Sequence, residues 1–296
     1  MTDILIIANP VSGVHSAPRV AEEVRNALQK RGAAVELQLT TSRGDALRKA
    51  RAAVERGVRV IAGCGGDGTL QEIATALDGA SAALGVIPRG RCNDFARALG
   101  LKRSDPPERI ADILLAGKRR AVDLGAAGEK RFLTVATMGF DSEASRFVET
   151  RKLWVKGTLA YLYAVACVLL RFKAPRVRLR GDFGQIEQRV LLVATGNGPC
   201  YGGAMRIAPG ARLDDGMFQV CLVEEVSRLT VLSVLPLVMR GAHVNHPRVR
   251  MLETSFLEIK TLDGPEWMCA DGESMCQTPV RLEVRPGALQ VMTAPE

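Results

Sequence analysis

VRVIAGCGGDGTLQEIATALDG (58–79) holds a strand, a turn and a helix with almost nothing between them. Residues 58–66 are a near-continuous apolar run, as expected of a strand buried on both faces of a parallel sheet. Residues 70–79 return apolar side chains at helical spacing and end on a glycine. Between them stand Gly65, Gly66, Asp67, Gly68 and Thr69. A strand that feeds a helix through glycines exposes backbone N–H groups at the positive end of the helix, an arrangement that binds phosphate. Without a Cβ, Gly65, Gly66 and Gly68 let the chain pass close to a polyanion. Asp67 would repel phosphate, and it makes sense there if it faces a cation, Mg²⁺ being the usual companion of a nucleoside triphosphate. Thr69 can cap the helix or donate to a phosphate oxygen. The same residues would also serve a plain tight strand-to-helix turn.

Outward from this stretch the alternation continues. DILIIANP (3–10), AVELQLTT (34–41) and ALGVIPRG (83–90) read as strands. Residues 17–32, 45–57, 92–100 and 107–117 read as helices. Alternating strands and helices predict βαβ units and a parallel sheet. After about residue 121 the texture changes to strand-like runs separated by Gly, Asp and Pro, among them KRFLTVATMGF (130–140), QIEQRVLLVATGNG (185–198) and EWMCADGE (266–273). Two helices, near 153–172 and 227–241, interrupt them. The fold class is α/β, with an α/β domain over 1–122 and a β-rich domain over 123–282. Residues 283–296, with the end of a last strand near 280–293, are a candidate to complete the first domain.

The chain has 296 residues with 40 basic and 32 acidic side chains, a formal charge of +8 that favours an anionic partner. Aromatics make up only 4%, too few for a base-stacking ladder, so nucleic acid is not the expected partner. The seven cysteines form no CxxC pair, which removes zinc and thioredoxin-type chemistry and points to reduced thiols in a reducing compartment. MTDILIIANP reads as a first strand, not a signal peptide. The longest apolar run, GTLAYLYAVACVLL (157–170), is shorter than the roughly 20 residues needed to span a bilayer. A cytoplasmic protein with peripheral membrane contact is the expectation.

GGDGT follows the third strand, not the first, so it is not the dinucleotide GxGxxG, and it lacks the lysine of a Walker A loop. It resembles the phosphate loop of the diacylglycerol kinase catalytic family, the bacterial soluble lipid kinases above all. NPVSG (9–13), PRGRCNDFARALG (88–100), VDLG (122–125), GNG (196–198), APGARLDDGMF (208–218), RGAHVNHPRV (240–249) and DGE (271–273) fall in that family's order. The resemblance implies a three-layer α/β domain like that of NAD kinases and phosphofructokinases, a β-sandwich lipid-substrate domain, and ATP in the cleft between the two. It implies nucleotide contacts from Asn9, Ser12, Gly13, Thr40, Gly65, Gly66, Asp67, Gly68, Thr69 and Glu72. Asp271 is implied as general base, with Glu273 two residues on and on the same side if the strand continues. Asp94 and Asp123 are implied, with Asp67, in a network around the catalytic Mg²⁺. Asp215, with the carbonyls of Arg212 and Met217, is implied as a structural Mg²⁺ site. Each has a plainer alternative: an Asp-Gly turn at 271, a helix cap at 94, an exposed strand end at 123, and a β-turn at 214–216. Arg19 and Arg97 are solvated helix residues unless they face phosphate or head groups. His15, His243 and His246 read as surface or capping residues.

Two positions depart from the family pattern. Arg91 stands where a threonine is usual, so a guanidinium replaces a hydroxyl near the nucleotide, adding a phosphate contact or blocking the site. Val14 stands where a basic residue often follows NPxSG. On the substrate side, residues 156–173 are apolar with Lys and Arg at both ends, which fits docking on an anionic leaflet or a core helix with solvated ends. The resemblance implies an ATP- and Mg²⁺-dependent lipid kinase, converting diacylglycerol to phosphatidic acid for phospholipid synthesis at the inner face of the cell membrane. Ceramide, sphingoid bases and other lipid alcohols would need only a reshaped pocket. An NAD kinase-like enzyme and a silent lipid- or nucleotide-binding protein are the rivals. A homodimer is a family-level expectation.

Overall fold

The computed structural model describes residues 3–13, 15–151 and 158–294. The chain divides into two compact units, 1–124 with 285–296, and 125–284.

The first unit opens with β1 (Ile4–Ala8), α1 (Ala17–Lys30), β2 (Val35–Leu39), α2 (Asp45–Glu55), β3 (Val60–Gly65) and α3 (Asp67–Leu77). It continues with β4 (Ala83–Pro88), a short α4 (Asp94–Ala98), α5 (Pro107–Ala116) and the first part of β5 (Lys118–Ala127). Every residue of β1, β3 and β4 is buried, as the apolar runs require. β1 pairs in parallel with both β2 and β3, and β3 pairs in parallel with β4. The helices lie on both sheet faces. A Cβ on Gly63 would strike Leu70 and Ile73 of α3, whereas one on Gly85, paired with Ala62, would strike Leu114 of α5. Ala62 and Gly63 are consecutive and therefore point to opposite faces. α1 packs beside α5 and α2 beside α3, which makes three layers.

The second unit contains β6 (Lys130–Phe132), β7 (Val135–Gly139), α6 (Phe140–Thr150), α7 (Thr158–Arg171), β8 (Arg176–Gly181) and β9 (Gly184–Gly196). Then come β10 (Phe218–Glu224), α8 (Arg228–Val238), β11 (Val249–Thr254), β12 (Phe256–Thr261), β13 (Trp267–Ala270), β14 (Glu273–Gln277) and the start of β15 (Val280–Thr293). Its pairings are antiparallel. The long β9 pairs with β8 over its first half and with β7 and β10 over its second, so one strand serves two parts of the sandwich. The core is apolar, with Phe132 and Phe218 stacked at 5.7 Å among Val177, Leu179, Val193 and Leu257. β15 is likewise shared: residues 280–283 pair with β12, and 290–291 pair in parallel with β4.

The sequence reading missed α6. The run 130–140 looks like one strand, but Gly139 at φ +104° turns the chain into a helix whose Phe140, Ala144 and Phe147 share one face. The same run also breaks at Leu133–Thr134, between β6 and β7. Of the apolar helix expected at 156–173, residues 156 and 157 lie outside the described residues, as do most of the basic run 151–156 and the departure at Val14. In the described part of α7, Val165, Val168 and Leu169 are buried against Phe140, Ala144 and Val231. Among the described residues no helix is long and apolar enough to cross a membrane.

Candidate active site

In unit 1 the topology selects the site. From β1 the chain crosses by α1 to β2 on one side; it then returns by α2 to β3 on the other side of β1. The strand order therefore reverses between β1 and β3, and the loops leaving their carboxyl ends diverge to opposite faces. Open parallel sheets bind ligands at such a crevice. The loops there are Asn9–Gly13 and Gly65–Thr69, joined by Gly90–Asp94 after β4.

These loops interlock. Asn9 Nδ2 donates to Thr69 Oγ1 at 3.3 Å, and Asn9 Oδ1 accepts from Val11 N at 3.1 Å. Ser12 N donates to Asn9 O at 3.1 Å. Gly13 has φ +63°, and a Cβ there would meet Ser16 Oγ and Arg89 O. Gly66 has an extended backbone (φ −95°), so it is not needed for left-handed geometry. Its role is close approach: a Cβ on Gly66 would sit 3.2 Å from Gly90 Cα. Asn93, itself at φ +52°, closes the second loop by accepting from Gly90 N at 2.7 Å and donating to Gly90 O at 2.9 Å. Arg91 lies exposed on the tip of that turn. The first α3 bond runs from Leu70 N to Gly66 O, so the N–H groups of residues 67–69 point out of the helix end with Gly68 among them.

Asp67 and Asp94 come together here. Asp67 Oδ1 accepts from Phe95 N at 3.3 Å, and the buried Asp94 carboxylate meets Arg97 Nη1 at 3.3 Å. Asp123 does not join them. It is buried within β5, not an exposed strand end, and its Oδ1 accepts from Gly287 N at 2.7 Å. Gly287 precedes Gln290, the partner of Ala83 at the start of β4. Asp123 therefore belongs to the amino edge of the sheet, opposite the loops. Consistently, no cluster of three or more His, Cys, Asp or Glu able to hold a metal occurs among the described residues. Glu72 is also engaged elsewhere. Its carboxylate accepts from Gly44 N at 2.7 Å, Ala46 N at 3.0 Å and Leu47 N at 3.3 Å, capping α2. Thr40 is buried at the end of β2, where its N donates to Ala8 O. Arg19 pairs with Glu23.

In unit 2 the central group is Asp271. Asp271 (φ +51°) and Gly272 (φ +85°) form a left-handed turn between β13 and β14. The strand does not continue, so Glu273 pairs across from Ala270 instead of following Asp271 on one face. The break at Leu133–Thr134 supplies the donors. Leu133 N donates to Asp271 Oδ2 at 2.7 Å; Thr134 N and Thr134 Oγ1 donate to Oδ1 at 2.8 and 2.6 Å. Asn197 supports that segment by donating from Nδ2 to Leu133 O at 2.9 Å. Desolvation raises the Asp271 pKa above the ordinary carboxylate value, against the opposing pull of these hydrogen bonds. A carboxylate so held is poised to take a proton. Thr134 and Asn197 were not expected as participants; the GNG motif at 196–198 was their one trace in the sequence.

Asp215 Oδ1 accepts from Met217 N at 3.0 Å, and Arg212 Nε lies 3.7 Å from Asp214. That is an Asx turn within an exposed loop, whose oxygen donors suit a hard cation.

Unit 2 also contains an apolar cleft, part of it open to solvent, lined by residues of α6, α7, β9, β10 and α8. His243 lines it. This corrects the surface assignment: His243 is 1% exposed, and its Nε2 lies 3.1 Å from Ile207 O. Burial lowers its pKa, so the ring is neutral, with Nε2–H donating to Ile207 O and Nδ1 left as an acceptor. Nδ1 is buried and has no partner among the described residues. His246 Nδ1 accepts from Arg248 N, and His15 is exposed.

Residues 3–127 match the diacylglycerol kinase catalytic domain, and residues 134–293 match the YegS C-terminal NAD kinase beta sandwich-like domain. A Mycobacterium tuberculosis protein named "Diacylglycerol kinase" is 31% identical over 295 residues, covering 98% of this chain and 94% of the relative. A Pseudomonas fluorescens protein named "Probable lipid kinase YegS-like" is 35% identical over 284 residues, covering 94% and 93%. A Bacillus anthracis crystal structure described as a diacylglycerol kinase superposes with a TM-score of 0.79 at 23% identity, covering 99% and 97%, which establishes the fold. The chain therefore belongs to the diacylglycerol kinase and YegS-like family of lipid kinases.

Proposed function

We propose that this kinase transfers the γ-phosphoryl group of ATP to the hydroxyl of a membrane lipid, with diacylglycerol the first candidate and Mg²⁺ required. The observation that carries this is the setting of Asp271: a half-buried carboxylate fixed on a left-handed turn by three donors from a strand break. The bond from γ-phosphorus to the bridging oxygen breaks, the electron pair leaves with ADP, and a new bond forms to the lipid oxygen. Asp271 takes the hydroxyl proton as that oxygen attacks. The N–H groups at the α3 end and the Asn9–Thr69 pair orient the phosphates. Asp67 and Asp94 are the carboxylates suited to a catalytic Mg²⁺, which would neutralise charge on the transferring group. Asp215 with the Arg212 and Met217 carbonyls suits a structural one.

The unit 2 cleft suits an acyl chain, since Val165, Val223, Val231, Val234 and Val238 line it. His243 favours a second reading. Its ring lines this cleft and its Nδ1 is an acceptor with no partner among the described residues, so a lipid that carries a donor besides the reacting hydroxyl would supply one. Ceramides and sphingoid bases have one; diacylglycerol does not.

The test is γ-labelled ATP with vesicles containing diacylglycerol, ceramide or a sphingoid base in turn. Label in the organic extract supports the kinase reading, and its rank order names the acceptor. ATP binding without label in any lipid would show that Arg91 has left a binding protein, and the proposal would fall.

A further inference from the structure

Helix α8 is apolar on two faces. Val231, Val234 and Val238 line the cleft. On the other side Leu229 (79% exposed), Leu232 (53%) and Leu237 (40%) follow helical spacing, and Met239 (51%) extends the stripe. Leu170 of α7 is also exposed (66%), and its carbonyl accepts from Arg228 Nη2 at 2.7 Å at the start of α8. Large exposed apolar residues elsewhere, such as Val11, Leu39 and Leu115, lie on separate elements. An exposed apolar stripe of this kind marks an interaction surface.

The charge around the patch identifies the occupant. No Asp or Glu occurs between Glu225 and Glu253, and Arg228 and Arg240 bracket the helix. Arg171 and Lys173 are exposed at the end of α7. An apolar stripe framed by cations, without acidic residues, matches a bilayer with anionic head groups. A second copy of the chain would instead set these arginines against one another.

We propose that α8 docks this protein on anionic membranes, its outer leucines entering the head-group boundary while its inner valines line the cleft. A lipid can then pass around one helix from the bilayer to the cleft. That passage rests on the lipid-kinase reading above; the docking does not.

Vesicle flotation of the full chain tests it, using phosphatidylglycerol–phosphatidylcholine vesicles against phosphatidylcholine alone. The variants are Leu229→Glu with Leu232→Glu, Arg228→Gln with Arg240→Gln, and Leu39→Glu as an exposed apolar control in unit 1. Melting curves confirm that each folds. Wild type should float with the anionic vesicles and less so in high salt. The leucine pair should lose bound protein by about tenfold or more, the arginine pair should lose selectivity for anionic lipid, and Leu39→Glu should match wild type. Transfer to a bilayer-embedded acceptor should fall about tenfold in the leucine pair, while transfer to a short-chain, water-dispersed acceptor stays within about twofold. The proposal is overturned if wild type does not float, if the leucine pair floats as wild type does, or if Leu39→Glu loses as much. A change from dimer to monomer in the leucine pair would overturn it too, by making the stripe a subunit contact. Normal flotation with no transfer to any lipid would sink the kinase reading alone.

Discussion

The loops at the carboxyl edge of unit 1 and the Asp271 turn of unit 2 reach their geometry by different routes. In unit 1 the groups proposed to face a ligand are backbone amides, and what shapes them is the absence of side chains. Gly66 passes Gly90 because neither has a Cβ, and Asn93 closes the neighbouring turn on Gly90. In unit 2 the groups are side chains in places a regular sheet would not leave open. The Asp271 carboxylate fills a break between β6 and β7, and His243 is buried in a wall of valines. A site built of backbone should tolerate changes of charge nearby but not of volume. A site built of side chains should respond to the loss of single atoms, with the fold intact.

The largest effect expected from breaking this contrast is at Gly66. Gly66→Val drives a branched side chain toward Gly90, and ATP affinity should fall on the order of 10- to 100-fold by calorimetric titration. Retained affinity would mean that the nucleotide does not rest on that backbone.

Next comes the polar setting of Asp271. Thr134→Val removes the hydroxyl donor but keeps the N–H, and turnover should drop about tenfold with ATP affinity unchanged. Thr134→Ser should restore it. The pH profile gives the sign. As the proposed base Asp271 would act only when ionised, and its pKa is raised above the ordinary value, so the acid limb of kcat/KM should lie above the usual aspartate range. Removing a hydrogen bond that lowers that pKa should move the limb to still higher pH. By linkage, a raised carboxylate pKa means that Asp271 stabilises the fold at low pH and that this contribution is lost as pH rises through its folded value.

Much of unit 1 was legible in the sequence, because parallel strands buried on both faces announce themselves as apolar runs and the glycines mark where they turn. The exceptions are long-range. Nothing in LQEIATAL says that Glu72 will reach back to cap α2, and only the strand register shows that Asp123 lies at the far edge of the sheet. Unit 2 was legible as antiparallel β and little further. Its chemistry depends on where strands stop: the break after Phe132, the turn at Asp271 and the start of α6 at Gly139 interrupt runs whose composition is uniformly strand-like. His243 looked polar and so superficial, whereas packing against α8 and β11 buried it.

Two smaller effects concern unit 1 as a scaffold. Burial pushes the Asp45 pKa up, but hydrogen bonds from Thr41 with contacts from Lys49 and Arg48 outweigh it and bring the pKa from 3.8 to about 2. A depressed carboxylate stabilises above its unfolded value, so Asp45 should contribute about 2 kcal/mol near neutrality, lost as pH falls from about 4 to about 2. Urea unfolding of Asp45→Asn across that window checks it: the difference from wild type should shrink toward low pH. Glu72→Ala should destabilise by about 1 kcal/mol through the lost α2 cap, with ATP affinity nearly unchanged. A large loss of affinity with normal stability would instead return Glu72 to the phosphate site.

The most direct measurement pairs binding with transfer in Asp271→Asn. The amide keeps an oxygen for one set of donors but is a far weaker base. ATP should bind as it does to wild type, while transfer of γ-label to lipid falls by about 10²–10⁴-fold. Transfer at the wild-type rate, or a loss of ATP binding as large as the loss of transfer, would contradict the assignment of Asp271 as the general base.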